Sequence, residues 1–132
     1  MADARSTDGP SRSANRAKGI RGEDAAVACL KKEGYRIIER NYRCRYGEID
    51  IIAMDKQEVA FVEVKGRESD FFGSPEEAIG ADKQKKISRT ALRYLQERGI
   101  TDRNARFDVV TIRFTPQGNR VTLIRNAFDL NA

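Results

Sequence analysis

Asp50, Glu63 and Lys65 are the residues of this sequence whose types and spacing could do chemistry together. Glu63 and Lys65 stand two apart in Val59–Lys65 (VAFVEVK), and Asp50 sits in Gly47–Met54 (GEIDIIAM); β-branched and aromatic residues mark both runs as strands. Strand residues two apart share a face. The intervening Asp55–Glu58 is too short for a parallel crossover, so the runs form an antiparallel hairpin. A two-residue turn (Lys56-Gln57) and a four-residue turn (Asp55 to Glu58) give the same register, in which Asp50 faces Glu63 and Glu48 faces Lys65. Directly opposed side chains have Cβ atoms about 4.5–5.5 Å apart. A slip by one residue would send Glu63 and Lys65 to the other face.

Two opposed carboxylates repel unless positive charge lies between them. Hard oxygen ligands favour Mg²⁺ or Mn²⁺ over zinc. Ile49 and Ile51 flank Asp50, and Val62 and Val64 flank Glu63, so both acids interrupt strands fit for burial, where a charge must be paired or bound to metal. The competing account is that Lys65 simply pairs with Glu63 or Glu48 on a wet sheet face. The chain has no histidine. That excludes Ser-His-Asp and Cys-His hydrolases and His-ligated zinc, leaving carboxylates, lysine and a hard cation for any hydrolysis.

The elements that position these residues follow from periodicity and punctuation. Residues 1–18 are Ser-, Ala- and Arg-rich without apolar period and are expected to be a disordered basic tail, ahead of one domain over 19–132. A helix is predicted over Ile20–Glu33, ending at Gly34, with Glu23, Ala26, Val27 and Leu30 on its inner stripe. Glu23 is thus either a carboxylate favoured by the helix dipole at a wet N-terminus or one wanted by a site. Tyr35–Tyr42 is a first strand, ahead of the hairpin. After the loop Gly66–Gly73, Ser74 caps a second helix in capping-box form with Pro75 and Glu77; it runs to Arg98 and stops at Gly99, with a kink near Gly80. Ile87, Ala91 and Leu95 form its buried stripe, and Lys83 lies one turn earlier on that side. Arg106–Phe114 follows as a strand parallel to the third, and Arg120–Ile124 as an edge strand. The order α-β-β-β-α-β-β implies an α/β fold with a mixed central sheet flanked by helices.

At 132 residues, 34% charged and 39% hydrophobic, the chain suits one globular domain. No apolar run approaches a membrane span, and the first residues lack a secretory core, so a cytoplasmic location is expected. Cys29 and Cys44 match neither a disulfide framework nor a zinc motif and read as free thiols. The net charge of +5 favours a polyanionic partner, nucleic acid before membrane. Arg43 and Arg45 beside the first strand, Arg67 after the third, and Lys83, Lys86 and Arg89 on the second helix are candidate phosphate contacts. Lys83 is equally readable as a snorkelling surface lysine. Tyr46, Phe71 and Phe72 offer stacking platforms, and Tyr42 reads as core. Asp108 shares a face with Val110 and Ile112 and is expected to pair with a nearby cation outside the site.

An inward helical Glu, then Asp, then Glu-x-Lys on a hairpin resembles the PD-(D/E)xK nuclease motif, and the helical Glu is similar to that of archaeal Holliday-junction resolvases. The whole domain resembles the YraN-like family of bacterial proteins, through Gly22-Glu23 with Ala26, Arg40-Asn41, Gly47-Glu48-Ile49-Asp50, Phe61-Val62-Glu63-Val64-Lys65, Arg67, Lys83, Arg106-Phe107-Asp108-Val109-Val110 and Asn126-Ala127-Phe128. The proline of "PD" is absent, Ile49 standing there. The resemblance implies a restriction-endonuclease-like core and Mg²⁺-dependent (or Mn²⁺-dependent) phosphodiester hydrolysis of nucleic acid, DNA before RNA, with branched or otherwise structured DNA as the substrate. Asp50, Glu63 and the Val64 carbonyl would hold the metal. Lys65 would orient or deprotonate the attacking water, and Glu23 would complete the acidic cluster. A homodimer is compatible with cutting two strands. Two other readings stand beside it: a non-catalytic nucleic-acid-binding accessory on a nuclease fold, and a protein-interaction module whose polar patch is a salt-bridge network.

Overall fold

The computed structural model describes residues 22–67 and 79–130. The basic tail, the start of the first helix, Phe71 and Phe72, and the capping box at Ser74–Glu77 lie outside them. Within them the order is a helix α1 (residues 22–32), β1 (Arg36–Cys44), β2 (Gly47–Asp55), β3 (Glu58–Gly66), a helix α2 (Ala81–Glu97), β4 (Ala105–Thr115) and β5 (Gly118–Phe128). The five strands form one sheet in chain order, antiparallel except that β3 and β4 run parallel. This is the expected α-β-β-β-α-β-β core with a mixed sheet.

The two helices cover opposite faces. Ala26 and Leu30 of α1 pack on Ile51, Ala53, Ala60, Val62, Val110 and Ile112. Ile87, Ala91 and Tyr94 of α2 pack on Ile52, Val59, Phe61, Phe107 and Val109. Along β3 successive residues alternate between these clusters, as the strand period requires. Tyr94 makes edge contacts with both Tyr42 and Phe61, at 5.1 and 5.9 Å between centroids, and clamps α2 across three strands. Tyr42 is core, as its sequence context predicts.

Both helices stop in the same way. Gly34 takes φ +94°, its N–H donates to the Lys31 carbonyl, and the Tyr35 N–H reaches the Leu30 carbonyl at 2.9 Å. Gly99 (φ +64°) donates to Gln96 and Ile100 to Leu95 in the same pattern. These are Schellman motifs, and each places an apolar pair, Leu30 with Tyr35 and Leu95 with Ile100, against the core. The start of α2 differs from expectation: Gly80 is extended (φ −65°, ψ 162°) and serves as N-cap, so the helix begins at Ala81 rather than running on through Gly80 from Ser74. Its buried set is Ile87, Ser88, Thr90, Ala91 and Tyr94, with Leu95 only partly covered.

β4 and β5 carry a break in register between Phe107 and Val109, and Asp108 fills it. Its fully buried carboxylate accepts the Tyr35 hydroxyl at 2.7 Å, the Asn126 N–H at 2.9 Å and the Arg106 Nε at 3.1 Å. Arg106 also reaches Asp55 at 2.6 Å and pairs with Glu58, tying the β2–β3 turn to β4. Burial and the Asp108 charge push the Tyr35 hydroxyl up to about 12, so it stays a donor. Removing one member of a buried pair leaves the other uncompensated. Asp108→Ala is therefore expected to lower the unfolding free energy in urea by about 3–5 kcal/mol. A loss below about 1 kcal/mol, the value of an exposed pair, would contradict this role.

Candidate functional site

The β2–β3 hairpin turns through Lys56 and Gln57, with Lys56 at φ +59°, and its register pairs Asp55 with Glu58 through to Ile51 with Val62. Extending that count sets Asp50 opposite Glu63, the arrangement read from the sequence. Beyond Ile51↔Val62 the Val64 N–H donates to the Asp50 Oδ2 at 2.8 Å. A side-chain carboxylate thus replaces the next backbone acceptor. The N–H and C=O of one strand residue point to the same side, so the Val64 carbonyl faces the same gap.

Glu63 is buried, its side chain only 11% exposed, on the α2 face of the sheet. Asp50 and Glu63 lie close enough that each carboxyl acts on the ionisation of the other. Burial and then the Asp50 charge push the Glu63 carboxyl up to about 8. Burial also raises Asp50, opposed by the Val64 N–H and the bond from Glu63, while the charge of Glu23 raises it further. Two acids that hold a proton near neutrality are a site short of positive charge.

Lys83 supplies part of that charge. From the first turn of α2 its Nζ comes 3.2 Å from Glu63 Oε2. Burial lowers the ammonium, but Glu63 and Asp50 outweigh it and the net shift is upward. The sequence left Lys83 undecided between a role at the site and a snorkelling surface position. The pattern that could have decided it was its place one turn before Ile87, on the side that packs over β3. Lys65 is exposed and makes no ion pair with Glu63 or Glu48 among the described residues. The bland Lys65–carboxylate pair is therefore not what the structure shows; Glu48 pairs with Arg43 at 3.8 Å.

Glu23 approaches from α1, on the opposite face of the sheet. Its Oε1 accepts Asn41 Nδ2 at 3.2 Å and Arg40 Nη2 at 3.4 Å, and Arg40 also holds Asp24 at 2.9 Å. Asn41 takes φ +55°, a conformation Asn tolerates better than most residues, which breaks the regular extension of β1 beside α1. Arg40, which as part of the basic first strand reads as a phosphate-neutralising charge, instead holds Glu23 together with Asn41. No three His, Cys, Asp or Glu side chains group as a metal cluster among the described residues. Glu23 acts on Asp50 through its charge rather than as a third member of the pair.

The basic candidates divide in two. Lys86 and Arg89 lie exposed along α2, and Gly47 of β2 sits against Lys86 and Thr90. That brings Arg43, Arg45 and Tyr46 at the β1–β2 turn alongside them. Arg67 is elsewhere: it lies past β3, donating to Thr122 of β5 at 3.4 Å. Cys29 and Cys44 are both free thiols. No helix among the described residues is long and apolar enough to cross a membrane.

Residues 22–112 match the uncharacterised protein family UPF0102. A UPF0102 protein of Syntrophus aciditrophicus is 54% identical over 109 residues, 83% of this chain and 86% of the relative. One from Desulfosudis oleivorans is 56% identical over 113 residues, covering 86% and 90%. One from Geobacter sulfurreducens is 48% identical over 117 residues, covering 88% and 91%.

Glu63 rises from 4.5 to about 8, so the folded chain keeps a proton that the unfolded chain releases. That contribution is complete below the unfolded value and disappears as pH climbs through about 8. Unfolding free energy measured in chelator is expected to be lower at pH 8.5 than at pH 5.5, and Glu63→Gln should flatten the slope. An unchanged slope in that variant would place the proton elsewhere.

Proposed function

The chain belongs to the UPF0102 family of uncharacterised proteins, the YraN-like family. From the geometry of its carboxylates we propose that it is a divalent-metal-dependent nuclease hydrolysing phosphodiester bonds of DNA. The observation that carries this reading is the pairing of half-buried Asp50 with buried Glu63 where β2 and β3 part company and the Asp50 carboxylate takes the Val64 N–H. A donor set of two carboxylates and the Val64 carbonyl suits Mg²⁺ or Mn²⁺. Bound there, the ion would neutralise phosphate charge and acidify a water.

The chain's own residues do the rest. Glu63 gives up its proton on loading, so metal affinity climbs with pH up to about 8. Lys83 keeps Glu63 neutralised and stands at the mouth of α2 for a phosphate oxygen. Lys65, exposed and two residues beyond Glu63 on the same strand face, supplies a second ammonium at the rim to orient the attacking water. Glu23, clamped by Arg40 and Asn41, holds negative charge behind Asp50. Arg43, Arg45, Lys86 and Arg89 supply sequence-independent phosphate contacts. A reducing cytoplasm, in which Cys29 and Cys44 stay free, is the compartment this activity implies. The accessory reading, nucleic-acid binding without cleavage, draws support from one contact: Lys83 already fills the cation position beside Glu63.

The two readings separate on a panel of supercoiled, linear, single-stranded, flap and four-way-junction DNA with Mg²⁺ or Mn²⁺. Cleavage is expected, reduced about 100-fold or more in Asp50→Asn and Glu63→Gln, with Lys65→Ala and Lys83→Met also slowed. Binding without cleavage on every substrate would establish the accessory reading.

A further inference from the structure

Tyr46 stands in the turn between β1 and β2 with 36% of its surface exposed. Arg45 holds it: its guanidinium lies 4.9 Å from the ring centroid and its Nη2 donates to the Tyr46 hydroxyl at 2.9 Å. Across from this ring α2 turns out Arg89, Leu92, Arg93 and Gln96. Together with Tyr46 they line an open groove of about 320 Å³. Leu92 is 41% exposed, an isolated apolar wall. Arg93 shares its guanidinium with Glu97 at 3.1 Å, while no lining residue carries a carboxylate. The groove therefore combines a restrained aromatic ring, an aliphatic face, one amide and two guanidinium groups.

That combination matches a nucleotide and little else of comparable charge. A base stacks on an aromatic face, a guanidinium forks a phosphate, and an amide can meet a base edge. Duplex bases already have both faces covered by their neighbours, so only an unpaired base can use such a platform. Its place relative to the carboxylates follows from the two elements that build it. Along β2, Asp50 lies four residues past Tyr46, about 13 Å at the strand rise. Along α2, Lys83 lies six residues before Arg89, about 9 Å at the helix rise. A strand crossing Asp50 and Glu63 thus reaches the groove within a few nucleotides.

We infer that the Tyr46–Arg89–Leu92 groove is a subsite for an unpaired nucleotide of the substrate, next to the bond presented to Asp50 and Glu63. The base lies against Tyr46 and Leu92, and Arg89, aided by Arg93, takes the adjoining phosphate. The position rests on the nuclease reading above; the chemistry of the groove does not. Under this inference the enzyme selects DNA with an unpaired stretch beside the cut, such as a flap or a splayed junction arm.

The test measures binding by the full chain in chelator, by fluorescence anisotropy with a labelled single strand and with the same sequence as a duplex. Tyr46→Ala should weaken single-strand binding roughly tenfold while leaving the duplex affinity in place, and Arg89→Ala should weaken single-strand binding several-fold more than duplex binding. Tyr46→Phe, which keeps the ring, should retain single-strand binding. Both positions are surface ones, and an unchanged thermal melt confirms that the variants fold. Equal losses on single strand and duplex, or no loss on either, would overturn the subsite and leave the groove to general charge or to a protein partner. Single-strand discrimination without cleavage by the wild type sinks the nuclease reading alone. Cleavage of flaps undiminished in Tyr46→Ala sinks the subsite alone.

Discussion

Between β2 and β3 the next backbone amide past the ladder is satisfied by a side chain. Val64 N–H donates to the Asp50 carboxylate at 2.8 Å, and a buried N–H must find an acceptor somewhere. By accepting it, Asp50 is drawn against β3 and into the electrostatic reach of Glu63. The strand period then decides what else can approach. Glu63 faces α2, where Lys83 meets it, and α1 on the other face brings Glu23 within electrostatic range of Asp50. Had the hairpin closed one residue out of register, Glu63 would point into the apolar cluster around Ala26 and Leu30.

Asp108 is a useful contrast, because it too lends its carboxylate to a backbone N–H at a break in register. Around Asp108 the charge closes: Arg106, the Tyr35 hydroxyl and the Asn126 N–H account for both oxygens, and Arg106 is shared with Asp55 and Glu58. Around Asp50 it does not close. Among the described residues its neighbours are Glu63 and the charge of Glu23, and the compensation is one lysine on Glu63, half-exposed at 48%. One buried aspartate is thus joinery between strands and turn. Asp50, half-buried, leaves a local deficit of positive charge among the described residues, and carboxylates perturbed in this way mark candidate functional sites.

The basic surface is organised by the same elements. α2 presents its apolar side to Phe61 and its Lys83 to Glu63, which turns Lys86, Arg89 and Arg93 outward by helical period. The approach of Gly47 to Thr90 and Lys86, where a Cβ would meet the Thr90 Oγ1 in van der Waals contact at 3.4 Å, brings the β1–β2 turn alongside α2. Gly47 also sits at φ +150°, which disfavours any side chain. One close packing contact therefore aligns an aromatic from the turn with the guanidinium groups of the helix, beside the carboxylates rather than over them.

Much of this was legible in the residues. Period and punctuation located both helices and all five strands, the glycine stops at Gly34 and Gly99, the parallel placement of β4 against β3, and the Asp50–Glu63 juxtaposition, because a hairpin with so short a turn has little freedom of register. Three things were not. The break of α2 at Gly80 depended on how the chain enters the helix, where one glycine is compatible with kink, cap or continuation. The use of Asp108 required Tyr35 and Arg125 as well as Arg106, residues far apart in the chain whose meeting no local pattern records. Above all, the lysine on Glu63 turned out to be Lys83. Sequence spacing ranks Lys65 first because it measures distance along one strand. Only the packing of α2 over β3 sets a residue twenty positions away against that carboxylate, while Lys65, at the strand's end, extends into solvent.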